Sequence, residues 1–415
     1  MGSGSTGTLG IPLEGAVLSP DLVTLAPLQP EWVLALRQRG AADLATSVPP
    51  VEADELWRYS GIDDFDAVIF ATAEANVANV ADSLVALPAE AVAAGVTITV
   101  DESPTLAVDY FGTLGMAHLT ESRVIRIPAN VELREPIRVQ TTLEIGGTAG
   151  TSWRVVVGVN SGATVIEEFR SGGGDRAPAL LVASTVLELS DGARLRHASV
   201  QLLDEHDWIV ASLHAITGRD ATLSTVAVAL GAAYARLETT AVATAKGAHS
   251  EVLAVYFAGN DQVHDFRTRQ DHIAPHTTSD LLFKGAVEDR ARSVYSGLIH
   301  IGKDARGTVA NQTNRNLLLS AEASAESVPN LEIENNDVKC SHASAVGPID
   351  EDHRYYLESR GVPPGDADRL IVLGFFADLL ARVPDDALRN ELVDAVRQKF
   401  DRRSAAEQRL SPDAS

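Results

Sequence analysis

The stretch DGARLRHASV, residues 191–200, decides the fold, because a tight Gly-containing turn leads directly into a short run of alternating apolar and polar residues. Comparable turns occur at SGATV (161–165), RDATL (219–223), KGAHS (246–250) and KDARG (303–307). Their alanines are 30, 28 and 27 residues apart, with the last one 57 residues further on: Ala163, Ala193, Ala221, Ala248 and Ala305. A repeat of this length with no helix between strands is typical of a stacked β architecture, such as a solenoid or β-helix.

The region around these turns is rich in Val, Thr and Leu, as in VTITV, WRVVVGV and STVLELS. Such runs predict strands and a mainly β chain whose core spans residues 95–349. A doubly wound α/β fold is disfavoured because its crossovers require helical patterns between the strands. An antiparallel sandwich or a propeller remains open at this point.

The two ends of the chain have a different texture. Residues 1–94 predict a region of helix and loop, in which PEWVLALRQRGAADLA forms an amphipathic helix. Residues 350–415 predict a helical domain that includes the apolar stretch Leu370–Leu380 and a striped helix in DDALRNELVDAVRQKF. Helices at both ends would cap the exposed terminal coils of a solenoid.

Composition excludes several classes of protein. The chain of 415 residues has 34 Lys and Arg against 57 Asp and Glu, a formal charge of -23, which disfavours nucleic acid as a partner. One cysteine cannot form an intramolecular disulfide, which favours a reducing, cytoplasmic location. We find neither a secretory signal pattern nor an apolar run long enough to cross a membrane.

Signatures of catalysis are absent from the sequence, which contains no Walker A loop, no GxSxG and no HExxH. SGGGD at 171–175 is interpreted as a loop. Glu167 and Glu168 are adjacent, so on a strand they point to opposite faces and cannot form a glycosidase pair. We therefore expect no enzymatic activity. The rival from another class is a β-helix polysaccharide lyase or hydrolase, which requires converging carboxylates or a calcium site.

Two other pairs of side chains are candidates for chemistry. His272 and His276 in DHIAPHTTSD are interpreted as a hydrogen-bonded structural element rather than a ligand pair. In VKCSHASAVG, residues 338–347, Cys340 and His342 are two positions apart and would share one face of a strand. They could then bind a soft metal together, whereas the simpler interpretation is that Cys340 is a small buried residue.

The segment FKGAVEDRARSVYSGLIHIGKDARGTVANQTNRNLLLSAEASAESVPNLEIENNDVKCSHASAVG resembles the core of SufD-type members of the SufB/SufD family, the scaffold subunits of SUF iron–sulfur cluster assembly. ELWRYSGIDDF resembles the family's N-terminal tryptophan motif, and DRLIVLGFFADLL its C-terminal helical segment. The resemblance implies a right-handed parallel β-helix flanked by helical domains.

The same resemblance implies partners and ligands. A SufD-like subunit pairs with SufB and docks a SufC ATPase through its C-terminal helical domain, without a nucleotide site of its own. The family's CSHGAT motif matches CSHAS here, which carries the interface histidine onto His342 and the neighbouring cysteine onto Cys340, with Ala343 replacing glycine. The position of the SufB sulfur acceptor holds Ala323, which fits SufD better.

The expected cargo is a transient iron–sulfur cluster shared with SufB, held here by His342 with Cys340 as an auxiliary. The sequence leaves open whether the isolated chain forms a homodimer and whether a flavin binds the assembled complex.

Overall fold

The computed structural model of the chain describes residues 22–23, 30–71, 77–106 and 109–410. The described strands are β1 (Leu22–Val23), β2 (Ala81–Ala86), β3 (Thr97–Val100), β4 (Leu119–Ile127), β5 (Ile137–Leu143), β6 (Gly147–Val157), β7 (Gly162–Ser171), β8 (Ala179–Leu189), β9 (Arg194–Leu202), β10 (Trp208–Thr217), β11 (Thr222–Ala229), β12 (Tyr234–Ala243), β13 (His249–Ala258), β14 (Val263–His272), β15 (Thr278–Val287), β16 (Arg292–Ile301), β17 (Thr308–Leu318), β18 (Ser324–Ile333) and β19 (Val338–Pro348). The described α-helices are α1 (Pro30–Leu44), α2 (Val77–Val80), α3 (Ala89–Ala93), α4 (Tyr110–Ala117), α5 (Glu351–Ser359), α6 (Pro364–Leu380) and α7 (Asp386–Leu410).

The strands form two sheets that the chain visits alternately. One sheet has the order β1-β2-β5-β7-β9-β11-β13-β15-β17-β19, and we call it the odd sheet; the other has the order β18-β16-β14-β12-β10-β8-β6-β4-β3, and we call it the even sheet. From β5 and β4 onward every ladder is parallel and joins strands one coil apart. The result is a parallel β-solenoid of about eight turns, which confirms the mainly β prediction and rules out the sandwich and the propeller.

The two ends of the solenoid differ. At the N-terminal end, β2 pairs antiparallel with β5, and β3 pairs antiparallel with β4. Strand β2 lies within residues 1–94, where the sequence indicated helix and loop. At the C-terminal end, β18 and β19 each have only one neighbour within their sheets. The last coil therefore presents strand edges that the described chain does not cover.

One corner of the coil shows why the turn repeat is visible in the sequence. Gly192, Asp220 and Gly247 have left-handed backbones, each directly before a fully buried alanine. Glycine and aspartate tolerate this conformation better than most residues, so one of them recurs at this turn and makes the repeat visible in the sequence. The predicted equivalence of Ala163 with Ala193 is wrong by two residues. The ladder pairs Gly162 with Arg194, so Ser161 lies opposite Ala193.

Side chains from both sheets fill the lumen of the solenoid. Toward its N-terminal end the filling is mostly apolar, with Trp153, Val155 and Leu187 among its members, although Glu167 and His197 also lie inside. Toward its C-terminal end buried polar side chains appear, including Gln270 and Gln312. A polar lumen requires specific hydrogen-bond partners, whereas an apolar one requires only volume.

The N-terminal segment packs on the outer face of the even sheet. Trp57 is buried there, and the guanidinium of Arg236 lies 3.8 Å from the centre of its ring. Asp265 is fully buried between Arg236 and Arg267, and these arginines donate to the carbonyl oxygens of Leu56 and Arg58. The tryptophan motif is thus held by charge-assisted hydrogen bonds as well as by apolar contact.

The C-terminal helices cover the outer face of the odd sheet. Val372, Phe376 and Leu380 of α6 join an apolar cluster with strand residues of β7, β9, β11 and β13. Lys284 on β15 donates to both carboxylate oxygens of Asp378 on α6, at 2.7 and 2.9 Å. Most of the apolar stretch Leu370–Leu380 is consequently used for packing on the solenoid, and Leu370 remains 48% exposed.

Candidate functional site: the terminal strand

Strand β19 forms the edge of the odd sheet and carries both residues of the predicted metal pair. It pairs with β17 on one side, and no described strand lies on its other side. Almost every residue from Lys339 to Pro348 is exposed or only partly buried. An uncovered strand of this length offers a row of backbone donors and acceptors to another chain.

The ladder between β17 and β19 fixes where the side chains point. Cys340 is paired with Ala310 and His342 with Gln312, and both β17 partners are buried on the lumen side. Because paired residues of neighbouring strands share a face, Cys340 and His342 both face the open end of the lumen. The predicted placement of the two side chains on one face is therefore present.

Cys340 is the more enclosed of the two. It packs against an apolar cluster that contains Ile299, Ile301, Ala305 and Ala310. Burial raises the pKa of the Cys340 thiol, against the smaller opposing effect of a hydrogen bond with the Ala310 backbone. A thiol with a raised pKa carries little thiolate at neutral pH, so on its own it is a poor nucleophile and a reluctant ligand.

His342 lies on the exposed part of the same face. Within the described residues its ring has no hydrogen-bond or ion-pair partner, so both nitrogens are accessible to a ligand. Gln312 beneath it is 1% exposed, and neither polar atom of its side chain has a hydrogen-bond partner among the residues that the structure describes. An imidazole supplies one ligand atom, so further ligands for a metal or cluster must come from elsewhere.

Comparison with known proteins identifies the family. A profile described as "SUF system FeS cluster assembly, SufBD core domain" matches residues 145–375, more than half of the chain. The chain belongs to the SufBD family. A SufBD-family iron–sulfur cluster assembly protein of Mycobacterium tuberculosis is 30% identical over 301 residues, which are 71% of this chain and 75% of that protein.

Two proteins named SufD show that this SufBD-family chain is SufD-like. The SufD of Escherichia coli is 30% identical over 238 residues, covering 57% of this chain and 56% of that protein. The SufD of Bacillus subtilis is 26% identical over 275 residues, covering 66% of this chain and 63% of that protein.

The resemblance matched two alanines to positions at which the SufB/SufD motifs have other residues. Ala343, in the place of the motif glycine, lies within β19 and is not among the residues with a left-handed backbone, so its side chain causes no strain. Ala323, in the place of the SufB sulfur acceptor, is 8% exposed and packs with Ala258, Val287 and Ala291. A methyl group in an apolar cluster cannot accept sulfur.

His272 and His276 do not converge. His272 is 1% exposed, with its ring nitrogens 2.7 Å from Thr277 Oγ1 and 2.8 Å from Ser279 Oγ. Burial lowers its pKa to about 4, so it is neutral at physiological pH. His276 lies in an exposed turn with a left-handed backbone. The interpretation of His272 as a structural, hydrogen-bonded residue agrees with this geometry.

Glu167 and Glu168 point to opposite faces of β7, as the sequence predicted. Glu168 pairs with Arg138 and Arg170 outside the lumen. Glu167 lies inside it, 2.8 Å from Nε2 of His197 and within hydrogen-bond distance of Thr185. His197 was not predicted as a partner of Glu167, although the two residues are 30 positions apart, which is one spacing of the turn repeat.

One convergence of carboxylates bears on the rival glycan-cleaving function. Asp204 and Asp207 lie close together with His206. However, Arg176 already pairs with both carboxylates, and Asp207 also accepts from the Ala179 backbone at 2.9 Å. These carboxylates are thereby committed to holding the loop that contains SGGGD.

Among the described helices, none has the length and apolar character to span a bilayer.

Proposed function

We propose that this SufBD-family chain is a cytoplasmic scaffold subunit that pairs with a SufB-like chain and shares a nascent iron–sulfur cluster with it. The observation that carries the proposal is the position of His342, an unpartnered imidazole on the lumen-side face of an uncovered terminal strand. The cluster is cargo rather than a resident cofactor. Pairing at this edge would bring ligands of the second chain next to His342.

The edge of the solenoid supports pairing through β19 rather than β18. Strand β18 contains Pro329, which has no backbone N–H to donate to a ladder. Strand β19 runs from Val338 to Gly347 before its first proline, Pro348. The odd sheet can therefore continue into a strand of a partner, with backbone hydrogen bonds supplying affinity.

The two side chains differ in their suitability as ligands. His342 is exposed and can bind iron through a neutral ring nitrogen. Cys340 is half-buried with a raised pKa, so a metal must first displace its proton and reach into an apolar cluster. His342 is accordingly the working ligand and Cys340 an auxiliary.

The test is co-expression with a SufB-like and a SufC-like chain, followed by size-exclusion chromatography and iron and sulfide assays. His342→Ala should lower the iron and sulfide content of the complex several-fold while leaving pairing intact. Cys340→Ser should lower it only weakly. Wild-type iron and sulfide in the His342→Ala complex would remove the ligand role, and loss with Cys340→Ser alone would reverse the ranking.

Pairing itself is tested by Val346→Lys. Val346 is 42% exposed on the same lumen-side face of β19 as His342, and an inward-pointing charge on an edge strand opposes the addition of a further strand. The variant should fail to co-purify with the SufB-like chain. Val159→Lys, at a similarly exposed site in the turn between β6 and β7, is the matched control and should pair normally. Equal pairing by both variants would place the interface elsewhere.

Docking of a SufC-like ATPase is assigned to the C-terminal helices. Tyr355 and Tyr356 of α5 and Leu370 of α6 are 73%, 58% and 48% exposed. Large apolar groups left outside the packed cluster are the part of this domain available to a partner. Tyr355→Glu with Leu370→Glu should abolish retention of the ATPase. Removing the helices entirely is a poorer test, because it would uncover the apolar face of the odd sheet.

A further inference from the structure

Three neighbouring strands of the even sheet carry polar side chains in one row on the outer face of the last coils. The ladder pairs Asp271 of β14 with His300 of β16, and His300 with Glu332 of β18. Their neighbours along the strands, such as Gln270, Ile299 and Ile301, are buried in the lumen. The row therefore faces away from the side on which His342 lies.

A fourth residue joins the row just beyond β18. The backbone N–H of Glu334 donates to the carbonyl oxygen of Ile301 at 2.8 Å, which continues the ladder past the end of the strand. A ligand atom from each of His300, Glu332 and Glu334 lies within 4.8 Å of the other two. That separation lets one ion contact all three side chains.

The imidazole of His300 is oriented by a residue outside this group of three. Its Nδ1 is 3.1 Å from Oδ1 of Asp271, while Oδ2 of Asp271 accepts from Arg269 Nε at 2.7 Å. An Nδ1–H donated to the carboxylate leaves the lone pair on Nε2, which is the nitrogen free to coordinate. Histidines that bind metals in proteins are commonly held by a carboxylate in this way.

The negative charge at this place is only partly balanced by the neighbouring Arg269. Within the described residues, the carboxylates of Glu332 and Glu334 have no hydrogen-bond or ion-pair partner; the charge of Arg269 acts on Glu332, but its guanidinium is paired with Asp271. Two adjacent carboxylates repel each other, so a bound cation would stabilise the arrangement. The imidazole indicates which class of cation fits.

We propose that His300, Glu332 and Glu334 bind one divalent first-row transition-metal ion, such as Fe²⁺, Co²⁺ or Zn²⁺. Imidazole suits these ions, whereas Mg²⁺ and Ca²⁺ prefer oxygen ligands alone. Three protein ligands leave coordination positions for water or for a group from another molecule. The site is separate from His342 and stands independently of the proposed cluster function.

The experiment uses the full chain without an affinity tag and carries Cys340→Ser and His342→Ala throughout, so that the terminal strand contributes no ligand. Co²⁺ is the probe, measured by equilibrium dialysis and by its visible absorption. One equivalent should bind and be displaced by Zn²⁺ but not by Mg²⁺. Because the background already lacks His342, the result does not depend on the proposed function.

Variants of the site decide the outcome. His300→Ala and the double variant Glu332→Gln with Glu334→Gln should each weaken Co²⁺ binding at least tenfold. Asp271→Asn should weaken it by about tenfold, the smaller end of the range for groups that orient a ligand. Glu322→Gln with Glu326→Gln removes the same charge from exposed positions nearby and should bind as the background does. Equal binding by both site variants and the background, or displacement by Mg²⁺, would overturn the proposal.

Discussion

Gln312 and His342 are paired across β17 and β19, the last two strands of the odd sheet. Gln312 is buried, whereas His342 is exposed. The carboxamide of Gln312 points across the lumen toward Gly297, where a Cβ would lie 2.4 Å from its Nε2. Glycine at 297 thus makes room for an amide that has no hydrogen-bond partner. Gln312 lies on β17, one strand in from the edge strand β19.

Gln312→Leu should raise the free energy of unfolding by about 1–3 kcal/mol, because it removes two unpartnered buried polar atoms at similar volume. Urea denaturation measures the change. Gln270→Leu is the control and should be destabilising, because it removes the hydrogen bond that Oε1 of Gln270 accepts from Ser279 at 2.5 Å, which outweighs the loss of a buried Nε2 without a partner among the described residues. A loss of stability in Gln312→Leu would mean that ordered water satisfies the amide in solution.

Asp265→Asn should lower the free energy of unfolding by about 3–5 kcal/mol, because it leaves the buried guanidinium of Arg236 without its counter-charge. The segment around Trp57 should become more sensitive to limited proteolysis at the same time. Asp261→Asn, which breaks an exposed pair with Arg290, should change neither quantity appreciably. Unchanged proteolysis in Asp265→Asn would show that the tryptophan motif is held by apolar contact alone.

The free energy of unfolding should fall as the pH is lowered from 6.5 to 4, because of the buried His272. Burial lowers the pKa of His272 from its ordinary 6.5 to about 4. Between these two pH values the unfolded chain binds a proton at this residue, whereas the folded chain does not. The stabilisation is complete above pH 6.5, and roughly 3 kcal/mol is lost on going down to pH 4. His272→Gln should flatten the urea midpoint between these pH values relative to wild type. Parallel profiles for the two proteins would contradict the assignment.

Attachment of α6 should weaken in acid through Asp378. Burial pushes the pKa of this carboxyl up, but hydrogen bonds and charge from Lys284 outweigh it and lower the pKa. The contribution is therefore present above the ordinary pKa of aspartate, about 4, and is lost as pH falls through the folded value. Hydrogen exchange of α6 should speed up in that range for wild type, and Asp378→Asn should exchange fast at every pH. Asp366→Asn, whose charge pairs only within α6, should behave as wild type.

Local patterns in the sequence predicted the solenoid well. Turns such as Gly192-Ala193 and Gly247-Ala248 recur once per coil because the corner needs a left-handed residue followed by a small buried one. The shared face of Cys340 and His342 followed from the two-residue period of a strand. The antiparallel strand β2, with the sequence ADSLVA, was not predicted. Its partner β5 lies more than fifty residues further along the chain, and the local residue pattern does not indicate that pairing.

Contacts between coils were not predictable in the same way. Glu167 meets His197, and Asp271 meets His300, only once the number of residues in each coil is known, and the coils are not of equal length. An error of two residues, like that at Ala163, turns a lumen position into its neighbour on the same face and changes the pairing. The repeat therefore predicts the solenoid architecture, but it does not predict which side chains meet between coils.

Antiparallel strands at one end of the solenoid and an uncovered edge at the other make the molecule directional. A stack with two open ends could lengthen by adding copies at both, as cross-β fibres do. Among the described strands, the edges at the first coils are the short β1 and β3, which pair antiparallel with their neighbours, whereas the last coil ends in the long parallel strands β18 and β19. A long parallel edge is therefore offered at one end of the stack only, and this asymmetry favours joining a single further chain there over the repeated addition that builds a fibril.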